Sequence, residues 1–157
     1  MNPIQVKEWN VPQATHYGEP TFPFAYQCEQ AAGPEEVFQW VAASKQQLLE
    51  LMAKHGAVLL RGFPLATPED FDGVVDALGV ENFPYVRSLS NAVRVNFTLR
   101  VFSANEAPSN VRIYLHHEMA QTPLFPTRIF FFCQIAAEQG GATPICRSDV
   151  LYERIEN

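Results

Sequence analysis

The hydrophobic pattern changes period near residue 82, which limits the chain to folds that keep helices and strands in separate stretches. From Pro34 to about His55, the residues Val37, Trp40, Val41, Ser44, Leu48, Leu51 and Met52 recur at helical spacing. That spacing predicts one helix with a buried stripe. Pro34 suits the first helical position, Glu35 and Glu36 complement the positive end of the helix dipole, and Gly56 suits the left-handed position that ends a helix. Ala57 to Arg61 then reads as a short buried strand closed by Gly62. Thr67-Pro68-Glu69-Asp70 announces a second helix, with Thr67 as the N-cap and Asp70 as its acidic partner. Phe71, Val74, Val75 and Leu78 form its apolar face, and Gly79 ends it.

From Asn82 onward the period is two. Val93, Val95, Phe97 and Leu99 alternate with Arg94, Asn96, Thr98 and Arg100, as in a half-buried strand. After a turn at Ala107-Pro108-Ser109-Asn110, strands are expected over Val111–Glu118 and, strongly buried, over Thr127–Ile135. Gly140-Gly141 is a turn, residues 142–146 are an edge-like extension, and Ser148 caps a last helix from Asp149 to Glu156. Residues 1–33, interrupted by Pro3, Pro12, Pro20 and Pro23, read as an extended leader with one short strand. Two helices packed on an aromatic sheet predict an α+β domain. A sheet stopping at residue 157 would leave an open edge, a surface suited to pairing with another chain.

At 157 residues, with 47% hydrophobic and 18% charged residues, the chain has the material for one core. A net charge of −6 without any basic cluster argues against nucleic acid as a partner. The densest apolar run, Ile129 to Cys133, is far shorter than a membrane span, and the first residues lack the apolar stretch of a secretory signal. Cys28, Cys133 and Cys146 are odd in number and widely spaced, so they read as free thiols in a reducing cytoplasm.

The chain looks equipped for metal chemistry at Leu115-His116-His117-Glu118-Met119. On an extended segment His116 and Glu118, two apart, project to the same side. An imidazole nitrogen and a carboxylate oxygen from one segment make two thirds of a two-histidine, one-carboxylate site with open positions, which suits ferrous iron. Zinc also takes these donors but needs more of them, and no further cluster is evident. His117 faces the other way and reads as a packing or surface residue. His55 suits a helix C-terminus, and His16 lies in the leader. Arg112 and Tyr114 share the side of His116 and Glu118, where an arginine can bind a carboxylate of a small ligand or form an ordinary salt bridge. Thr143 follows the Gly140-Gly141 turn, where a short hydroxyl side chain can reach a bound acid.

Several strings taken together resemble the taurine dioxygenase (TauD/TfdA) superfamily. They are His55 to Phe63 with Pro68 to Phe71, Leu115 to Met119, Phe130 to Cys133, and Gly140 to Ile145, in the family's order from about residue 50 onward. Within it the chain is most similar to the clavaminate-synthase-like branch that includes syringomycin-biosynthesis-like proteins. The resemblance implies a double-stranded β-helix, or jelly-roll, preceded by flanking helices. It implies an oxidoreductase using Fe(II), 2-oxoglutarate as co-substrate and dioxygen on a small molecule, by analogy an amino-acid-derived metabolite of secondary metabolism. His116 and Glu118 carry over as iron ligands and Thr143 as a 2-oxoglutarate contact.

The chain also departs from the family pattern. The family's distal iron histidine and the arginine that clamps the far carboxylate of 2-oxoglutarate lie well downstream of the Gly-Gly-x-Thr-Pro motif. Neither can be placed among the residues after Thr143, and there is no histidine after His117. Arg147 stands where relatives often carry an aspartate. The expectation is one incomplete domain: a leader over 1–33, a helical flank over 34–80, and the first part of the β-helix over 82–157. By itself it is expected to bind iron weakly and to be inactive. The alternative is a non-catalytic split subunit, pairing through its sheet edge with a second copy or a complementing C-terminal chain.

Overall fold

A computed structural model describes residues 4–12, 14–16, 20–83, 94–106, 108 and 110–156. The first half is built around one central strand. β4 (Phe24–Gln30) pairs antiparallel with β1 (Gln5–Glu8) on one side and parallel with β5 (Val58–Arg61) on the other. Parallel neighbours need a crossover, supplied here by α1 (Pro34–Ala43) and α2 (Lys45–His55). β2 (Thr15–His16) and β3 (Thr21–Phe22) form a separate short ladder. α3 (Pro68–Leu78) packs on α1, and α4 (Ser148–Glu156) closes the described chain. The architecture is α+β, with mixed strand directions and, among the described residues, four helices.

Tyr26, Val37, Val41, Leu48 and Leu78 are buried together where the central strand meets three helices. Trp40 stands edge-on to Tyr26 at 5.7 Å, and Gln47 donates to the Tyr26 hydroxyl at 3.0 Å, so the phenol keeps a polar partner. Burial, with the Glu8 charge adding to it, pushes the Tyr26 phenol above its ordinary pKa. Gly56 and Gly79 end α2 and α3 in the left-handed conformation, at φ 78° and 59°. Thr67 and Asp70 form a complete capping box.

Four expectations need correction. The single helix over 34–55 is two helices meeting at Ser44 (φ −95°, ψ 5°). Its flanking bonds persist, from Ser44 N–H to Trp40 O and from Leu48 N–H to Ser44 O, so the change is a kink at a weak helix former. The leader holds β1 to β4 instead of one strand. The Phe24, Tyr26, Cys28 alternation behind Pro23 is a strand signal that the prolines obscured. The expected strand over 93–100 begins at the undescribed Val93. Its described part is a tight turn, with one bridge from Asn96 to Phe102 and the Phe97 N–H bonded to Val101 O at 2.9 Å.

The fourth correction concerns 111–118, 127–135 and 142–146, which are irregular and join no ladder among the described residues. Around Phe131 a strand-like side-chain alternation survives without strand pairing. Phe130 packs on the core and Phe132 stacks on Phe71 of α3 at 5.3 Å, whereas Phe131 and Ile135 are exposed. An apolar run reads as buried on both sides only when a layer covers each, and here α3 covers one.

Candidate functional site

His116 lies near the end of the irregular stretch that follows Val111, and Glu118 opens the turn after it. The two side chains converge, with His116 Nε2 and Glu118 Oε2 3.8 Å apart. His116 Nδ1 lies 2.7 Å from the carbonyl oxygen of Tyr114. A carbonyl only accepts, so Nδ1 carries the proton and, in the neutral ring, Nε2 keeps its lone pair for the Glu118 side. Two donor atoms each about 2.1 Å from one ion stand about 3.0 Å apart at the right angle of an octahedral site and about 3.4 Å apart at a tetrahedral angle, so a shared ion would need this pair to close by less than about 1 Å. His117, between them, is exposed.

The turn that sets Glu118 is locally fixed. Met119 is buried and left-handed at φ 59°, an uncommon conformation for a residue with a side chain. Its carbonyl accepts from both the Thr122 N–H and the Thr122 hydroxyl at 3.0 Å. Glu118 Oε1 accepts from Arg94 at 3.1 Å, with 16% of the arginine side chain and 24% of the glutamate exposed. Sequence reasoning placed Arg94 on a solvent-facing row and missed this contact. Period-two spacing identifies a face but not a partner 24 residues away.

The other expected residues are less gathered. Arg112 and Tyr114 are exposed, with the guanidinium 6.0 Å from the phenol ring centre, the outer reach of a cation–π contact. Thr143 is exposed beyond the left-handed Gly140 and Gly141. No hydrogen bond or ion pair among the described residues ties it to His116 or Glu118. The two segments do approach through Leu115, which lines a cavity of about 160 Å³ with Cys146, Arg147 and α4 residues. Arg147 grips Asp149 through two hydrogen bonds at the start of α4, which depresses the Asp149 carboxyl. A larger cavity of about 370 Å³ lies against Trp9, Phe24, Lys54 and His55, and none of the expected site residues lines it. His55 is buried there, with Nδ1 2.8 Å from the Thr21 carbonyl, so its role is packing and hydrogen bonding.

Among the described residues no group of three or more His, Cys, Asp or Glu side chains could hold a metal ion. No described helix is long and apolar enough to cross a membrane. Cys28 is a buried free thiol, raised in pKa by that burial, while Cys133 and Cys146 are exposed.

Residues 23–157 match the family described as taurine catabolism dioxygenase TauD, TfdA family. A clavaminate synthase-like protein of Arabidopsis thaliana is 39% identical over 163 aligned positions, taking in 100% of this chain and 49% of its own length. The dapdiamide synthesis protein DdaC of Enterobacter agglomerans is 31% identical over 96 positions, 61% of this chain and 29% of its own. The chain spans about half the length of the first relative and less of the second.

Proposed function

The chain belongs to the TauD/TfdA dioxygenase family, and from that membership we propose that it forms part of an Fe(II)- and 2-oxoglutarate-dependent dioxygenase acting on a small molecule. The observation that carries this reading is the 3.8 Å convergence of His116 Nε2 and Glu118 Oε2, with the imidazole tautomer set by the Tyr114 carbonyl. His116 and Glu118 would hold the iron, which when bound supplies open positions for the keto acid and dioxygen. Thr143 would contact 2-oxoglutarate. Arg112 and Tyr114 would meet the substrate, an amino-acid-derived metabolite by analogy with the family.

The residues' own work is to orient. The Met119–Thr122 turn fixes where the carboxylate emerges, and the Tyr114 carbonyl holds the proton of Nδ1, so that in the neutral ring Nε2 presents its lone pair. The third ligand and the 2-oxoglutarate arginine would come from outside these 157 residues. In this reading 1–33, 34–80 and 82–157 are the leading strands, helical flank and first part of a jelly-roll.

Titration of the chain with Fe(II) under anaerobic conditions tests the pair. Weak binding is expected, abolished in His116→Ala, together with no iron-dependent release of carbon dioxide from 2-oxoglutarate. Unchanged binding by His116→Ala would refute the metal pair.

A second reading rests on a separate observation. Among the described residues every exposed large hydrophobic side chain lies between Val95 and Ile155, with Leu99 91% and Ile135 85% exposed. Such a surface suits a split subunit that a second copy or a complementing chain covers. Sedimentation tests the self-pairing form of this reading, because a monomer at high concentration would rule it out.

A further inference from the structure

We infer that Arg94 is a positioning residue for the metal-binding carboxylate, holding Glu118 Oε1 so that Oε2 is the oxygen presented beside His116. The inference rests on the reading of Glu118 as a metal ligand. Its own support is the asymmetry of the carboxylate, with Oε1 3.1 Å from an Arg94 guanidinium nitrogen and Oε2 3.8 Å from His116 Nε2. The terminal torsion of a glutamate is broad and two-fold, so nothing intrinsic to Glu118 distinguishes its oxygens. A charge-assisted hydrogen bond from a mostly covered guanidinium does.

Arg94 can do this because it is itself held. A second nitrogen lies 3.4 Å from the Ser103 carbonyl, and the guanidinium carbon lies 5.1 Å from the Phe102 ring centre. The neighbouring backbone is closed by Val95 N–H to Ser103 Oγ at 2.9 Å and Ser103 N–H to Val95 O at 2.8 Å. The same turn is bolted to α3 by Arg100, whose Nε donates to Asp72 at 2.6 Å and whose terminal nitrogen donates to Asp76 at 2.5 Å. These two acidic partners raise the Arg100 pKa further, so this link keeps its charge. Two arginines thus connect a helix of the packed half to one oxygen at the candidate metal site.

A fixed cation also repels a divalent ion, so geometry and Coulomb repulsion oppose each other, and metal affinity reads which prevails. The probe is Mn(II), titrated into the full 157-residue chain with free ion followed by electron paramagnetic resonance. Arg94→Gln is expected to weaken binding about 10-fold or more, the usual effect of removing a residue that orients a ligand. Arg94→Lys should recover part of the loss, since an ammonium donates from the same direction without the fork. Arg100→Gln, which leaves Arg94 in place but frees its turn, should fall between and keeps the test open if Arg94→Gln fails to fold. Equal or tighter binding by Arg94→Gln, alongside lost binding in Glu118→Ala, would overturn the positioning role and leave the metal pair standing. A Glu118→Ala variant that binds as well as the parent would remove the pair and this inference with it. Lost binding in Arg94→Gln with an altered circular dichroism spectrum, and no recovery of either by Arg94→Lys, would make Arg94 merely structural.

Discussion

Asp70 accepts at Oδ2 from the Ala66 N–H at 2.8 Å and the Thr67 N–H at 3.0 Å, while its own N–H donates to Thr67 Oγ1 at 3.1 Å. The Ala66 bond first, and the Thr67 bond next, hold its carboxyl below the ordinary aspartate value. A depressed folded-state pKa contributes stability that is present above the unfolded value of about 3.9 and lost as pH falls through the folded one. Urea titrations should therefore show the parent losing stability more steeply than Asp70→Asn below about pH 4, and parallel curves would contradict the linkage. At neutral pH, Thr67→Ala should cost about 1 kcal/mol, measured the same way. This cap was legible because every partner lies within four residues. The Arg94–Glu118 contact was not, because charge and local spacing leave distant pairings open. His116 and Glu118 occupy the middle ground: an offset of two puts them on one side, but only the Tyr114 carbonyl assigns the imidazole proton.

At the scale of elements, helices were more legible than most strands, since a helix satisfies its amides within itself. α3 appears with its cap, apolar face and terminal glycine as read from the sequence, and β5 runs from Val58 to Arg61. Among the described residues after 110, the stretch around Phe131 keeps strand periodicity without a ladder. Alternation reports which sides could be buried, while pairing depends on a neighbour that local sequence cannot name. Gly73 shows a packing constraint that helix propensity misjudges. A methyl group there would stand 2.5 Å from the far end of the Phe38 ring, where α3 crosses α1. Gly to Ala inside a helix ordinarily gains up to about 1 kcal/mol. Here overpacking of about 1–3 kcal/mol opposes the gain, so Gly73→Ala should lower the denaturation midpoint. Phe38→Leu on the Gly73→Ala background should recover part of the loss. A Gly73→Ala protein more stable than the parent would show that the ring swings clear.

Stability across the molecule should follow the division between its two halves. The buried cluster joins β4 to three helices, with Leu48 among its fully buried members. Beyond Asn110, Met119 and Thr122 are the buried side chains among the described residues. No amide from Leu124 to Cys146 donates a backbone–backbone hydrogen bond among those residues. Phe130 and Phe132 hold their stretch against the first half through side chains, and Gln134 adds a 3.2 Å bond to the Ala66 carbonyl. None of these contacts protects an amide. Hydrogen exchange on dilute protein should consequently be slow in β4, α1, α2 and α3 and close to unprotected from Leu124 to Cys146. Leu48→Ala, expected to cost about 2–5 kcal/mol, should speed exchange in the slow set while barely changing the fast one. A partner that covers Phe131 and Ile135 with a hydrogen-bonded strand would do the reverse, slowing the fast set alone. Protection of the Phe130–Gln134 amides matching that of β4 in dilute protein would mean that this segment already pairs within the chain, contradicting the division between the two halves.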